Sequence, residues 1–127
     1  MSMSIAIAKI NIKNNKECIS INENDSLIIT DYLNELISDN FREKIFYEEY
    51  KGKYDEISYK VVEKNHIEKI SNNLFSAESE LFKEYFKSKA LIDKDEIAQK
   101  LENISDIKNL FIRYFISKEK DKVIIIY

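Results

Sequence analysis

The first part of the chain has two short stretches whose hydrophobic pattern is typical of β-strands. Residues 4–12 are rich in β-branched side chains and have apolar positions on both faces at the start, as in a strand that is buried on two sides. The asparagine pair at 14–15 supplies a turn, because asparagine tolerates positive φ. Residues 18–21 then return as a short second strand, with Ile19 and Ile21 facing inward.

Between Ser26 and Asn40 the hydrophobic spacing changes to that of a helix. Apolar residues recur at the i, i+3, i+4, i+7 and i+8 positions, which places them on one helical face. Asp25 or Ser26 is the expected N-cap. The apolar positions of this predicted helix are Ile29, Tyr32, Leu33, Leu36 and Ile37.

A β-hairpin is predicted over residues 44–62, with its turn at 51–53. Apolar residues alternate with polar ones in the second half of this segment, which is the period of a half-buried strand. A helix over residues 42–50 is the alternative, because the charged residues there are also compatible with helical structure. Both interpretations stay open at this point.

Helical spacing returns from Asn65 onward in three stretches. The first places its apolar residues over 67–74, and the second follows an N-cap at Ser76. Asp93 and Glu96 have the spacing of a capping box, which predicts the start of the third helix. The apolar positions of the second and third helices are Leu81, Phe82, Tyr85, Phe86, Ile97, Leu101 and Ile104.

The chain is expected to close with an antiparallel hairpin, in which residues 110–116 and 123–127 flank a charged turn at 117–122. This order of elements predicts a single α+β domain over residues 1–127. Its sheet would be antiparallel or mixed, with about five to six strands and three to four helices. The closing strand is either central in the sheet or the end of the N-terminal domain of a longer protein.

Composition excludes several classes of catalytic site. One glycine and no proline occur among 127 residues, so no glycine-rich phosphate-binding loop or nucleophile elbow can be built. His66 is the only histidine and Cys18 the only cysteine, which excludes an internal disulfide and metal centres built from several such residues. An ordinary position in the first turn of a helix explains His66 more simply than catalysis. We therefore expect no enzyme activity, no catalytic residue, no metal site and no cofactor.

Charge is abundant but nearly balanced, with 20 basic and 23 acidic residues and a net charge of −3. Domains that bind nucleic acid usually carry a net positive field, so direct binding to nucleic acid is not expected. No segment approaches the roughly 18 consecutive apolar residues of a membrane span, and the N-terminus lacks the basic start of a signal peptide. With a single cysteine, these features indicate a cytoplasmic protein.

One acidic segment departs from this balance. Residues 17–40 contain six acidic residues and neither lysine nor arginine. Asp31, Glu35 and Asp39 follow one another at i, i+4 and i+8, and so form a like-charged stripe on the predicted helix, with Asn34 beside it. The stripe is either a solvated face or a surface that docks on a basic partner.

A tyrosine-rich segment over residues 46–59 is the second candidate for partner binding. Tyrosine is enriched at the energetic centres of protein interfaces, and Tyr47 and Tyr50 are the candidate contacts. Packing between neighbouring strands is the alternative explanation. The matched acidic and basic residues of the segment argue against stacking on nucleic-acid bases.

Part of the chain resembles the N-terminal part of the bacterial nucleoid-associated protein family. The resemblance is carried by LFSAESEL at 74–81, DEIAQKL at 95–101, LFIRYF at 110–115 and the closing KVIIIY. Their order is similar to the strand, helix, capped helix and terminal hairpin of that family. The resemblance implies a bacterial cytoplasmic domain associated with DNA-bound assemblies, and it assigns no functional residue.

The sequence thus leads to one expected function and one alternative. The expected function is that of a non-enzymatic protein-binding module, of the inhibitor or immunity type carried by bacteria or mobile elements, whose acidic helix docks on a basic protein surface. The alternative is a domain of a nucleoid-associated or defence-related protein that acts within a larger DNA-associated assembly. Neither the partner nor the oligomeric state follows from the sequence.

Overall fold

A computed structural model describes residues 3–38, 40–117 and 121–127 as an α+β fold with three helices and five strands. The α+β class predicted from the sequence is confirmed, and the sheet is a mixed one that closes into a barrel. The strands are β1 (Met3–Lys13), β2 (Lys16–Ile29), β3 (Arg42–Tyr50), β4 (Lys53–Val62) and β5 (Lys122–Ile126). The helices are α1 (Asp31–Ile37), α2 (Lys64–Lys87) and α3 (Leu91–Ile116).

The five strands close into a barrel in the order β1-β2-β3-β4-β5. Four of the strand pairs are antiparallel: β1 with β2, β3 with β4, and β5 with both β1 and β4. The fifth pair, β2 with β3, is parallel and meets at Cys18 and Tyr47. Strand β5 is therefore paired on both sides, and it does not form the expected hairpin with residues 110–116.

The strand turns predicted at 14–15 and 51–53 are confirmed. Asn14 and Asn15 have φ values of 51° and 61°, and Lys51 and Gly52 have φ values of 51° and 78°. Two consecutive residues with positive φ are typical of the tight turns that match the twist of a two-stranded hairpin. The hairpin over β3 and β4 thus takes the place of the alternative helix over residues 42–50.

The strands bury side chains on both of their faces. One face points into the barrel interior, and part of the other is covered by the helices. Ile125 points into the interior, whereas its neighbours Ile124 and Ile126 join the helices in a second core. Strand β1 shows the same alternation, and residues 5–8 are all buried. The predicted burial of this strand on both sides at its start is confirmed. The buried interior residues are Ala8, Ile19, Phe46, Tyr59, Val61 and Ile125.

The helix predicted over 26–40 is wrong in its first five residues. Residues 26–29 continue β2, because they pair with residues 3–6 of β1, and the short second strand predicted over 18–21 is part of a 14-residue strand. Helix α1 begins at Asp31, and its N-cap is Thr30 rather than Asp25 or Ser26. Strand pairing with β1 outweighs the helical spacing of the apolar residues.

Helix α2 runs without interruption through Ser76, so the predicted break there is wrong. Leu74 and Leu81 lie on the same buried face as Ile67 and Ile70, and a continuous helix buries them as one stripe. Ser76 is exposed within the helix and caps nothing. In the absence of glycine and proline, no residue in this stretch forces a helix to end.

Helix α3 extends well beyond the short third helix predicted from the sequence. It begins at Leu91, two residues before Asp93, and Ala90 is its N-cap, so the predicted capping box does not open it. At its other end it includes residues 110–116, which were predicted as a strand. Leu110 and Phe111 complete a buried helical stripe with Ile104 and Ile107, which explains why this apolar run is helical. Residues 118–120 of the predicted turn at 117–122 lie outside the described residues.

Tyr59 links the barrel interior to the pH dependence of stability. Its buried phenol donates a hydrogen bond of 2.8 Å to Glu48, and burial together with this carboxylate raises the pKa of Tyr59 above its usual value near 10. Below pH 10 both the folded and the unfolded chain keep the proton. As the pH rises above 10, the unfolded chain loses the proton first, so stability falls.

We expect Tyr59→Phe to remove this part of the alkaline loss of stability. Urea unfolding followed between pH 8 and 11 should show a less steep decrease for the variant than for the unchanged protein. The other side chains are the same in both proteins, so the comparison isolates the Tyr59 hydroxyl. Parallel curves of stability against pH would contradict the proposed role of the Tyr59 phenol.

Candidate protein-binding surface

Helix α1 is held firmly on the helical layer by one side of its surface. Leu33 and Ile37 are buried in the helix-facing core, and the side chain of Asn73 donates a hydrogen bond of 3.1 Å to the carbonyl of Leu36. The Thr30 hydroxyl accepts the N–H of Leu33 at 3.2 Å and so caps the first turn. These contacts fix which side of α1 faces solvent.

The solvent side of α1 carries the predicted acidic residues. Asp31, Asn34 and Glu35 are exposed, and the two carboxylates lie one turn apart. Among residues 3–38, 40–117 and 121–127, neither carboxylate has a basic side chain within ion-pair distance. Asp39 lies outside the described residues. The structure therefore brings together two of the three predicted acids, with Asn34 beside them.

Tyr32 joins this acidic face to the end of α2. Burial raises the pKa of the Tyr32 phenol, and the carboxylates of Glu84 and Glu35 raise it further. The amino group of Lys100 lies 5.0 Å from the centre of the Tyr32 ring, within the range of a cation–π contact. Glu84 was not among the predicted site residues, because only the packing of α1 on α2 brings it near Glu35.

A shallow groove of about 410 Å³ continues from this point along the turn between α2 and α3. It is lined by the acids Glu84, Asp93 and Glu96 and by two lysines, Lys87 and Lys100. With Asp31 and Glu35, five carboxylates and two amino groups lie on this side of the molecule. We call these residues of α1 and of the groove the acidic surface.

Tyr47 and Tyr50 lie at the opposite end of the barrel. Tyr50 ends β3 and lies eight residues beyond Arg42, so it is roughly 26 Å from the start of that strand, which follows α1. Tyr47 packs under the amino group of Lys16, 4.8 Å from its ring centre, and its hydroxyl donates to Glu56 at 3.4 Å. The two predicted tyrosine contacts are therefore separate from the acidic surface.

A second groove lies elsewhere, at a bulge of β2. Between the pairs Ala6–Ser26 and Ala8–Ile21, four residues of β2 lie opposite one residue of β1, and this leaves an open groove of about 610 Å³. Its lining is mostly polar and of mixed charge, and Asp25 there is ion-paired with Arg113 at 3.4 Å. It lacks the apolar walls that are typical of a small-molecule site.

His66 occupies the first turn of α2, as expected, and has contacts that explain it structurally. Its Nδ1 accepts the backbone N–H of Glu63 at 3.4 Å, and its ring meets Phe41 edge-on with centres 5.1 Å apart. Within the described part of the chain, no three His, Cys, Asp or Glu side chains are arranged to hold a metal ion.

Comparisons of this chain with protein-family models, with curated proteins and with solved structures found no match. The resemblance to nucleoid-associated proteins therefore stays a prediction. In the described ranges, no helix is both long enough and apolar enough to span a membrane. The geometry of the acidic surface is accordingly what bears on function.

Proposed function

We propose that this protein is a non-enzymatic protein-binding module, of the inhibitor or immunity type, whose acidic surface docks on a basic partner. The observation that carries the proposal is the pair Asp31 and Glu35, exposed on a firmly seated helix and without ion pairs among the described residues. A reducing, cytoplasmic setting belongs to the same proposal, since Cys18 is a buried free thiol.

The energetic cost of the arrangement supports a binding role. Like charges one turn apart on a helix destabilise it by a few tenths of a kcal/mol. Lysine is abundant elsewhere in the chain and is absent from residues 17–40, so no basic residue of α1 itself offsets this repulsion. A basic partner would turn the same charges into an attraction that speeds encounter and fixes orientation.

Glu84 extends this attraction beyond α1. Its carboxylate and that of Glu35 both raise the pKa of Tyr32, so the two acids present their charge to one region of solvent. A partner with two or three clustered lysines or arginines would face several carboxylates at once. Such an arrangement favours partners with a compact basic patch over proteins with scattered positive charge.

Charge reversal on α1 tests the proposal. Immobilised wild-type protein and the double variant Asp31→Lys/Glu35→Lys are exposed to lysate of the source cells, and the retained proteins are identified. We expect the wild-type protein to retain a basic protein that the variant does not, with an affinity at least tenfold lower for the variant once both are purified. Raising the salt concentration should weaken wild-type binding.

The matched control is Asp55→Lys/Glu56→Lys. These two acids are exposed on β4 near its hairpin turn with β3, away from α1, and the double variant changes the net charge by the same amount. The control should retain the partner as well as the wild-type protein does. Equal loss of binding in both double variants would mean that net charge, rather than the acidic surface, governs retention, and would overturn the proposal.

A further inference from the structure

The two long helices expose apolar side chains on a common side. Helices α2 and α3 are joined by the three residues 88–90 and form an antiparallel hairpin, and Glu78 and Lys108 meet across it at 2.9 Å. At 100° per residue, one group of exposed apolar residues on α2 and one on α3 lie on the same side of the hairpin, next to this ion pair and away from the barrel. We define this outer apolar face as Phe75, Phe82, Phe86, Leu91, Ile112 and Ile116.

These six side chains are unusually exposed for their type, with between 47 % and 80 % of each residue accessible. A large apolar side chain has on the order of 200 Å² of surface, so together they leave roughly 800 Å² in contact with water. The largest apolar patch of a typical monomer is about 300–600 Å². The outer apolar face is therefore larger than a monomeric domain usually carries.

We propose that the outer apolar face is the interface of a homodimer, in which the helical hairpins of two copies pack face to face. Each partner in a standard protein interface contributes about 800 Å², which is close to the apolar area available here. The two helices have 24 and 26 residues, about 36 and 39 Å in length. Two such hairpins packed face to face form a four-helix arrangement, and the outer apolar face alone supplies the area for its interface.

Charge favours a second copy as the occupant. The ion pairs nearest the face, Glu78–Lys108 and Glu80–Lys83, are already closed within one chain, at 2.9 and 3.5 Å. On this side of α2, Ser79 lies between Phe75 and Phe82, and Asn72 lies one turn before Phe75, so both neighbouring positions are uncharged. An apolar face of this kind meets its own copy without like-charge repulsion between the phenylalanine stripes.

The spacing on α3 also suits a packed helical interface. Leu91, Ala98, Ser105 and Ile112 follow one another at seven-residue intervals on one side of the helix. The two middle positions are small, so they leave room between the larger end residues. Phenylalanine rings from α2 of the second copy could enter this space as knobs enter holes in a coiled coil.

The dimer is independent of the acidic surface. Helix α1 contacts α2 through Asn73, and Asn73 lies on the side of α2 opposite Phe75 and Phe82. Two copies joined by their outer faces would therefore each keep an acidic surface open to a basic partner. Asp31→Lys/Glu35→Lys should leave the dimer intact even where it abolishes partner binding, so the two proposals can fail separately.

Sedimentation equilibrium on the full chain tests the dimer. From about 1 to 100 µM, the wild-type protein should approach twice its chain mass of 15.1 kDa. Phe75→Ser/Phe86→Ser should stay at the mass of one chain over the whole range, with an unchanged circular dichroism spectrum, because both side chains are exposed. The matched control Ile12→Ser/Tyr50→Ser removes two equally exposed apolar side chains from the barrel and should remain dimeric.

Two results would overturn the dimer. One is a wild-type mass of a single chain at 100 µM, including the case in which the face binds a different protein instead. The other is a dimer that persists in Phe75→Ser/Phe86→Ser. Should that double variant fail to fold, the single substitution Phe86→Glu places two like charges in the proposed interface and should raise the dissociation constant at least tenfold.

Discussion

Replacing Phe46 by alanine is expected to lower the free energy of unfolding by about 3–5 kcal/mol. Phe46 is completely buried in the barrel interior, where it packs against Tyr59 with ring centres 6.2 Å apart. The surrounding strands are paired on both sides in a closed barrel, so they cannot move inward to fill the cavity. Urea or thermal unfolding of the two proteins measures the difference.

Tyr50→Ala is the control for this substitution. Tyr50 is an aromatic residue on the same strand, but it is exposed at the hairpin end, so its loss should change stability by no more than about 0.5 kcal/mol. A cost of less than 1 kcal/mol for Phe46→Ala would contradict a packed barrel interior. It would indicate that this side of β3 faces solvent or a loosely packed space.

Replacing Asn109 by proline is expected to cost about 3 kcal/mol or more, which is the second large effect. Asn109 is exposed in the interior of α3, where its backbone N–H bonds to the carbonyl four residues earlier. Proline removes that hydrogen bond, and its ring clashes with the same carbonyl. The substitution tests the unbroken helix against a hairpin strand beginning at residue 110.

Asn109→Ala separates the backbone effect from loss of the side chain. Alanine has the highest helix propensity, so this variant should be as stable as the unchanged protein or slightly more stable. If residue 109 lay in a loop before a strand, proline would cost far less than 3 kcal/mol. Such a result, with an unchanged helical circular dichroism signal, would overturn the continuous helix α3.

The strands and turns that depend on local pattern could be predicted from the sequence. The alternation in residues 57–61 reflects one side chain in the barrel and the next in solvent, and the asparagine pair at 14–15 supplies the two positive φ values of its turn. Burial of residues 5–8 on both faces follows from their composition, because no charged residue interrupts them. Each of these features is decided by neighbours in the chain.

Element ends and long-range pairings were not predictable in the same way. Residues 26–29 fit a helix by spacing, but pairing with β1 makes them a strand. Residues 110–116 fit a strand by composition, but the buried stripe of α3 makes them helical. Closure of the barrel through the single parallel contact of Cys18 with Tyr47 has no local signal at all.

The candidate site could be predicted in part. The absence of lysine and arginine from residues 17–40 marks Asp31 and Glu35, and both prove to be exposed. The contribution of Glu84 depends on the packing of α1 against α2, which no spacing in the sequence indicates. The outer apolar face has no such signal in the sequence. Helical spacing groups Phe82 and Phe86 with the apolar residues of a short helix, whereas in α2 both side chains are exposed outside the buried stripe.

The most direct test of the central claim is a charge swap with the captured partner, measured as an affinity at fixed salt. The partner's lysine or arginine that contacts α1, located by cross-linking, is changed to glutamate. We predict that this change weakens binding to the wild-type protein at least tenfold and restores binding to Asp31→Lys/Glu35→Lys. Equal affinities of the wild-type and charge-reversed proteins for the unchanged partner would contradict docking through the acidic surface.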